Sequence, residues 1–455
     1  MLNMTSFLLI LTVFAILALS AERIGDITAR FNLPRITGYL LTGIVVGPFV
    51  LNLITRAALP RLLFIAAVSL GLIAFAAGSE LYFPELKSRL RSILWVVAAS
   101  VVVTMAIGIT ATLLLANRIA FLQTMSLSGQ IAVAVLIGAL LIARSPSSAI
   151  AIINELRAKG PFTQIVMGVT VAIDVVVIVI FAISISIADA LITNVPFNPI
   201  FFLLLLLEFA LAILIAYGVY FLLDYILAHS WQFWLKVGLV LLIGYSTFLL
   251  SSWLRNYSHK AWDLEILVEP LLICMIAGLL VNNRSAFRAE FHQILHDIGP
   301  TIYVVFFTLT GASLEIDLLG QVWVFALIFF VVRLIGVAAG AWVGGTLAGE
   351  PPRFNRMMWL AFLTQAGVAL GLAKEVAVEF PDFGGAFATL IVAVVIINQF
   401  IGPPIFKYVV TLMGESRVKA QQGGFDGVRD AIIVGLNSQS VALARRLQTH
   451  KWQVK

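Results

Sequence analysis

An all-α polytopic membrane protein is the fold class this sequence predicts, and three observations predict it. Of 455 residues, 61% are hydrophobic and only 11% charged, with a mean hydropathy of +1.05. That composition lies outside the range of soluble domains. Apolar runs long enough to cross a bilayer recur along the chain, divided by short charged or Pro/Gly-bearing stretches. Lysine and arginine collect in alternate loops, as the positive-inside rule requires. The net charge of +6 therefore reflects membrane orientation and does not point to nucleic acid.

The first run, Ser6 to Ser20, is followed by Glu22 and Arg23 with no small-residue cleavage site after a basic stretch. It reads as a retained span rather than a removed signal. The length criterion then gives about thirteen spans, near 4–22, 35–51, 60–79, 91–116, 127–157, 162–188, 198–226, 233–252, 267–282, 294–314, 320–347, 356–377 and 384–412. The richer set of loops holds Arg23, Arg30, Arg35, Lys87, Arg89, Arg91, Arg157, Lys159, Lys236, Arg284, Arg288, Arg353 and Arg356; the other holds only Arg56, Arg61, Arg118, Arg255, Lys260 and Lys374. The expected orientation is N-terminus outside and C-terminus cytoplasmic, in an inner or plasma membrane. Cys274 is alone, which excludes disulfides and cysteine metal sites.

The sixth span organises the rest. It carries one charge, Asp174, near its midpoint. A carboxylate there costs roughly 2.5–3.5 kcal/mol on insertion scales, so a proton, a cation or a fixed positive group must offset it. Thr170 lies one helical turn before it on the same face, and its hydroxyl either ligates a cation or bonds back to its own helix.

Two spans read as interrupted. In the fifth, Arg144-Ser145-Pro146-Ser147-Ser148 falls at mid-membrane, and Pro146 removes a donor while biasing Ser145 away from helix. In the twelfth, Thr364, Gln365 and Gly367 fall at similar depth. Counting six spans, a linker seventh and six more, each break is in the fifth span of its half. Paired discontinuous helices in corresponding positions point to a transporter's binding site. Ser145, Ser147 and Ser148 offer hydroxyls for a hard monovalent cation, with small-residue packing as the bland reading. Thr364 and Gln365 line the second break or cap a half-helix. Arg333 lies mid-span, and Glu208, in the seventh span, is its expected ion-pair partner.

After Leu412 the chain turns polar. Residues 413–428 read as a linker, and 429–455 as the start of a Rossmann-like cytoplasmic domain: a short strand, a turn and an amphipathic helix over Val441–Thr449. The phosphate-binding fingerprint is degenerate, with Asn437 and Ser440 following Gly435. The chain is expected to stop before the second strand, as a fragment of a longer protein. No complete cofactor site forms in it, and a nucleotide is expected only in the missing part.

Seven segments in collinear order carry a family resemblance: LPRITGYLLTGIVVGPFVLNLI (Leu33–Ile54), LIAFAAGSEL (Leu72–Leu81), ARSPSSAIAI (Ala143–Ile152), IDVVVIVIF (Ile173–Phe181), FFTLTGASLEI (Phe306–Ile316), RLIGVAAGAWVGG (Arg333–Gly345) and FLTQAGVALGLA (Phe362–Ala373). They resemble the monovalent cation–proton antiporter superfamily, the Na+/H+ exchanger family, and cover about residues 30 to 410. The stub resembles the regulatory domain of potassium-efflux members. The resemblance implies two inverted six-helix repeats, a dimerisation and a core domain in residues 1–412, two broken helices crossing beside Asp174, and a homodimer. It implies that Asp174 carries cation and proton in turn, and that Arg333 pairs with an acid or balances helix dipoles.

Two positions depart from the family pattern. Ile173 stands where an acid or an amide precedes the aspartate, so exchange of Na+ or K+ for one proton, without net charge, is the simpler expectation. Arg144 stands where a small polar residue is usual and is expected to compete with the cation at Asp174. The function expected is alternating-access exchange. A ligand-gated cation channel and a non-transporting membrane sensor are the rivals, and the absence of any nucleophile–base set argues against an enzyme.

Overall fold

A computed structural model describes residues 4–193, 200–262, 268–314, 316–365, 367–417, 429–431, 438–449 and 452–454. The membrane unit, Met1–Ser416, and the C-terminal unit, Arg417–Lys455, are separate compact bodies. In the membrane unit the helices are α1 (Met4–Arg30), α2 (Arg35–Val46), α3 (Leu59–Ser79), α4 (Leu90–Leu115), α5a (Leu127–Ile142) and α5b (Pro146–Leu156). They continue as α6 (Pro161–Thr193), α7 (Ile200–Ala228), α8 (Phe233–Trp262), α9 (Pro270–Arg284), α10 (Arg288–Ser313) and α11 (Ile316–Ala348). The last two segments are α12, in halves, and α13 (Gly384–Leu412). Segment α12a is a helix over Pro352–Met357 that tightens into a 3₁₀ turn, Met358–Phe362; α12b is Gly367–Glu379. Among the described residues, ten helices, with α5a and α5b taken together, are long and apolar enough to span a bilayer. The shorter α2 and α9 and the divided α12 complete thirteen segments.

Contacts sort these helices into two bundles. Helices α4, α5a, α6, α11, α12 and α13 pack on one another, and α1, α2, α3, α8, α9 and α10 form the second set. Segments four to six and eleven to thirteen thus supply one bundle, as a pair of three-helix halves would.

Small residues hold the first bundle together. Gly336, Gly340 and Gly344 recur every four residues on α11 and face α4. A methyl group added at Gly340 would lie 2.7 Å from the Ser100 Cα, and one at Gly344 would lie 2.5 Å from the Val96 Cα. The backbones approach this closely because helices in lipid associate by packing and not by expelling water.

Polar groups fix the membrane-domain ends. Lys407 on α13 donates to Glu155 Oε1 and to the Leu33 carbonyl, each at 2.9 Å, while Glu155 Oε2 accepts from the Arg35 amide at the start of α2. At the start of α6, Glu415 accepts from the amides of Phe162 and Thr163, at 2.9 and 2.7 Å, and from the Thr163 hydroxyl at 2.7 Å. A carboxylate there satisfies amides that a first helical turn leaves open and complements the helix dipole.

In the C-terminal unit, β1 (Arg429–Ala431), α14 (Ser438–Thr449) and β2 (Trp452–Val454) follow in order. The strands are parallel, with Asp430 opposite Gln453. The chain therefore reaches the second strand, which the sequence reading placed beyond its end. The turn with Gly435 and Asn437 lies outside the described residues.

Candidate functional site

Both predicted interruptions are present. Helix α5a ends at Ile142, and Ala143 and Ser145 adopt extended conformations before Pro146 opens α5b at its first position, where its missing amide is harmless. The second break is Leu363–Gln365. The two breaks meet: the Ser145 amide donates to the Thr364 carbonyl at 3.1 Å. Helix α13 backs this crossing closely, since a methyl group added at Gly402 would lie 2.8 Å from the Thr364 Cα.

Two broken helices leave carbonyls without intrahelical partners in mid-membrane, and each needs a donor. Arg333, 1% exposed, supplies most of them. Its Nε donates to Leu141 O at 3.1 Å, and one terminal nitrogen to Leu363 O at 3.0 Å and Asn398 Oδ1 at 2.9 Å. The other donates to Ala143 O at 2.9 Å and Phe362 O at 3.2 Å. A guanidinium has five N–H donors, and all five are used.

This corrects the expected pairing of Arg333 with Glu208 on α7. The guanidinium sits at the negative ends of α5a and α12a, so helix dipoles and carbonyls take the place of a carboxylate. Gln365 completes the arrangement. Its Nε2 donates to Leu140 O at 3.0 Å, and its Oε1 accepts from Asn398 Nδ2 at 3.1 Å. Asn398 was missed in the sequence, where an Asn-Gln pair in an apolar span was the available signal.

The three serines bond to one another, and none of them hydrogen-bonds Asp174. Ser145 Oγ accepts from the Ser148 amide at 3.2 Å and lies within 3.2 Å of Ser147 Oγ and 2.9 Å of Ser148 Oγ. All three are buried, and Ser145 is the N-cap of α5b. Arg144 also departs from expectation. It is 1% exposed, its guanidinium stacks over the Phe362 ring at 3.6 Å, and its Nε and one terminal nitrogen have no hydrogen-bond partner. Among the described residues it forms no ion pair with Asp174, so it is not the competitor at the carboxylate that the sequence suggested.

Asp174 stands apart from the crossing. Its Oδ1 is shielded from solvent without a hydrogen-bond partner, and neither Arg144 nor Arg333 pairs with it. One turn earlier, Thr170 is 1% exposed and its hydroxyl is also unpartnered. The bond from Thr170 back to its own helix, one of the two readings, is therefore not made. Asp174 opens onto a narrow cleft lined by α6, the start of α9 and the start of α12b. Its walls are Val175, Ile178, Leu271, Leu272, Met275 and Val368, and its second carboxylate is Glu269. Glu269 caps α9, with Oε1 3.4 Å from the Leu271 amide and Pro270 behind it. An acid directly before a proline at the head of an apolar run was its signature in the sequence. No group of three or more His, Cys, Asp or Glu side chains that would hold a resident metal occurs among the described residues.

Known proteins share this architecture. The chain is similar to the Na+/H+-K+ antiporter GerN of Bacillus cereus, with 26% identity over 87% of this chain and 94% of that protein. The sodium proton antiporter MjNhaP1 of Methanocaldococcus jannaschii has the same fold. Its structure from electron microscopy superposes with a TM-score of 0.72 at 16% identity, covering 91% of this chain and 99% of that one. Its structure at pH 8 gives a TM-score of 0.64 at 15% identity, covering 90% and 97%. The profile of the family described as "Sodium/hydrogen exchanger, transmembrane" matches residues 8–412, the whole span from α1 to the end of α13. This chain is an integral membrane protein that belongs to the sodium/hydrogen exchanger family and so to the cation:proton antiporters, not to the enzymes.

Proposed function

We propose that the chain exchanges Na+ or K+ for protons by alternating access, with Asp174 as the carrier. The observation that supports this reading most is that Asp174 lines a cleft between the two bundles and has one carboxylate oxygen shielded from solvent without a partner. An ionised carboxylate so placed is unstable until a proton or a cation neutralises it. Competition of the two for one group then couples their movements, because only the neutralised bundle crosses the barrier. Thr170 contributes a neutral oxygen to the cation. The crossing, where Arg333, Gln365 and Ser145 occupy the carbonyls of Leu140, Leu141, Ala143, Phe362, Leu363 and Thr364, supplies rigidity more than ligands. One proton exchanged for one cation moves no net charge, as Ile173 beside Asp174 suggests. The reading also carries a homodimer and a cytoplasmic C-terminal unit that begins a nucleotide-binding fold.

The test is proton movement in proteoliposomes holding the full chain and a pH gradient, on addition of Na+, K+ or Li+. Cation-dependent collapse of the gradient, lost in Asp174→Asn and indifferent to a voltage clamp, is the expected result. Exchange that persists in Asp174→Asn would exclude the carrier role, and silence toward all three cations would favour a sensor.

A further inference from the structure

Asp174 belongs to the bundle of α4, α5, α6, α11, α12 and α13, whereas Glu269 opens α9, in the bundle opposite. Both line one cleft whose other walls are apolar. Counted from the basic loop ends of their helices at 1.5 Å per residue, both carboxylates lie roughly 20 Å deep. Their meeting is therefore a matter of equal depth on two elements distant in sequence. The shielded Asp174 oxygen without a partner marks the place as incomplete; one turn earlier on α6, outside the cleft lining, the Thr170 hydroxyl is 1% exposed and also unpartnered. None of the arginines of the crossing reaches the cleft lining.

We propose that Glu269 is a second ligand for the transported cation, reaching it from the bundle opposite Asp174. This rests on the reading of Asp174 as carrier. Hard cations take oxygen ligands, and carboxylates draw them most strongly. With one carboxylate on each bundle, the ion bridges the two, and the Glu269 contact exists only while the cleft has this arrangement. Glu269 thus holds the cation in one of the two access states and releases it when the bundles shift. Two carboxylates on one cleft also make a good site for a divalent ion, whose charge a single carboxylate leaves half unbalanced. Ca2+ should bind there and, being untransported, block.

The experiment measures protection of the purified full chain against thermal unfolding by Na+, K+ and Ca2+, since a ligand that binds only the folded state stabilises it with its own affinity. Exchange in proteoliposomes with and without Ca2+ is measured beside it. In the wild type, Ca2+ should protect and compete with the monovalent cation. In Glu269→Gln the monovalent concentration for half-maximal protection should rise about tenfold, and Ca2+ should lose both effects, while Glu269→Asp keeps them. Protection does not need turnover, so an inert variant still reports. If Glu269→Gln does not fold, the wild type decides, because indifference to Ca2+ there overturns the proposal. Monovalent affinity unchanged within twofold in a folded Glu269→Gln also overturns it. Failure of the underlying reading is separate: it shows as exchange surviving in Asp174→Asn.

Discussion

The Ser145 amide, in the break of one helix, donates to the Thr364 carbonyl, in the break of another, at 3.1 Å. Residues more than two hundred positions apart thus satisfy each other's backbone where neither helix can. Two functions of Ser145 are separable here. Ser145→Ala removes only the N-cap oxygen of α5b and should lower stability by about 1 kcal/mol. Ser145→Pro also deletes the crossing donor, at a φ of −113° that proline cannot adopt, and should abolish folding. Thermal unfolding in detergent distinguishes them, and equal damage from both would deny the crossing bond its role.

Arg333 serves four carbonyls and Asn398 with five donors. Lysine has three donors on a flexible stem. Arg333→Lys should leave at least two buried acceptors unpaired and cost about 2 kcal/mol or more. Glu208→Gln should shift the melting temperature by the same amount in the wild type and in Arg333→Lys. A coupling between the two positions in a double-mutant cycle would restore the discarded ion pair.

Arg144 gives the opposite sign. Its guanidinium is buried on the Phe362 ring with unpartnered donors. A buried charge without a partner is destabilising, and its replacement by an apolar group of similar length is neutral or favourable. Arg144→Met should therefore raise the unfolding temperature or leave it unchanged. A loss of several degrees would mean that the stacking on Phe362 outweighs the desolvation.

Thr170→Val should separate binding from folding. The hydroxyl is buried without a partner, so its loss leaves nothing unsatisfied and stability should hold. The apparent KM for the cation should rise severalfold, at about 1 kcal/mol for one neutral ligand. Exchange kinetics in proteoliposomes read the effect, and an unchanged KM would remove Thr170 from the site.

Glu415 ties the last residues of the membrane unit to the first turn of the helix that carries Asp174, through two amides and a hydroxyl. Glu415→Ala should destabilise by about 1 kcal/mol, as loss of a helix cap does. Hydrogen exchange at Phe162 and Thr163 should rise with it, and protection unchanged at those amides would show that the cap is dispensable.

The sequence by itself determined what local chemistry dictates. Long apolar runs must be spans because backbone groups in lipid have to be satisfied within a helix, and Pro146 after Ser145 must interrupt one because it lacks a donor. Asp174 was legible as the central charge because no lipid-facing position tolerates it. The tertiary structure decided who meets whom. Arg333 was assigned an acidic partner on the assumption that charge answers charge, yet helix ends present carbonyls that no linear pattern displays. Ser145, Ser147 and Ser148 looked like ligands by composition, but a new helix starts at that point, with Ser145 as its cap and the other two serines bonded to it. Glu269 reached the site only through packing, at the head of a helix in the opposite bundle. Burial fixes composition residue by residue, whereas a site joins groups at equal depth on different helices, and that depth is set by how the helices pack.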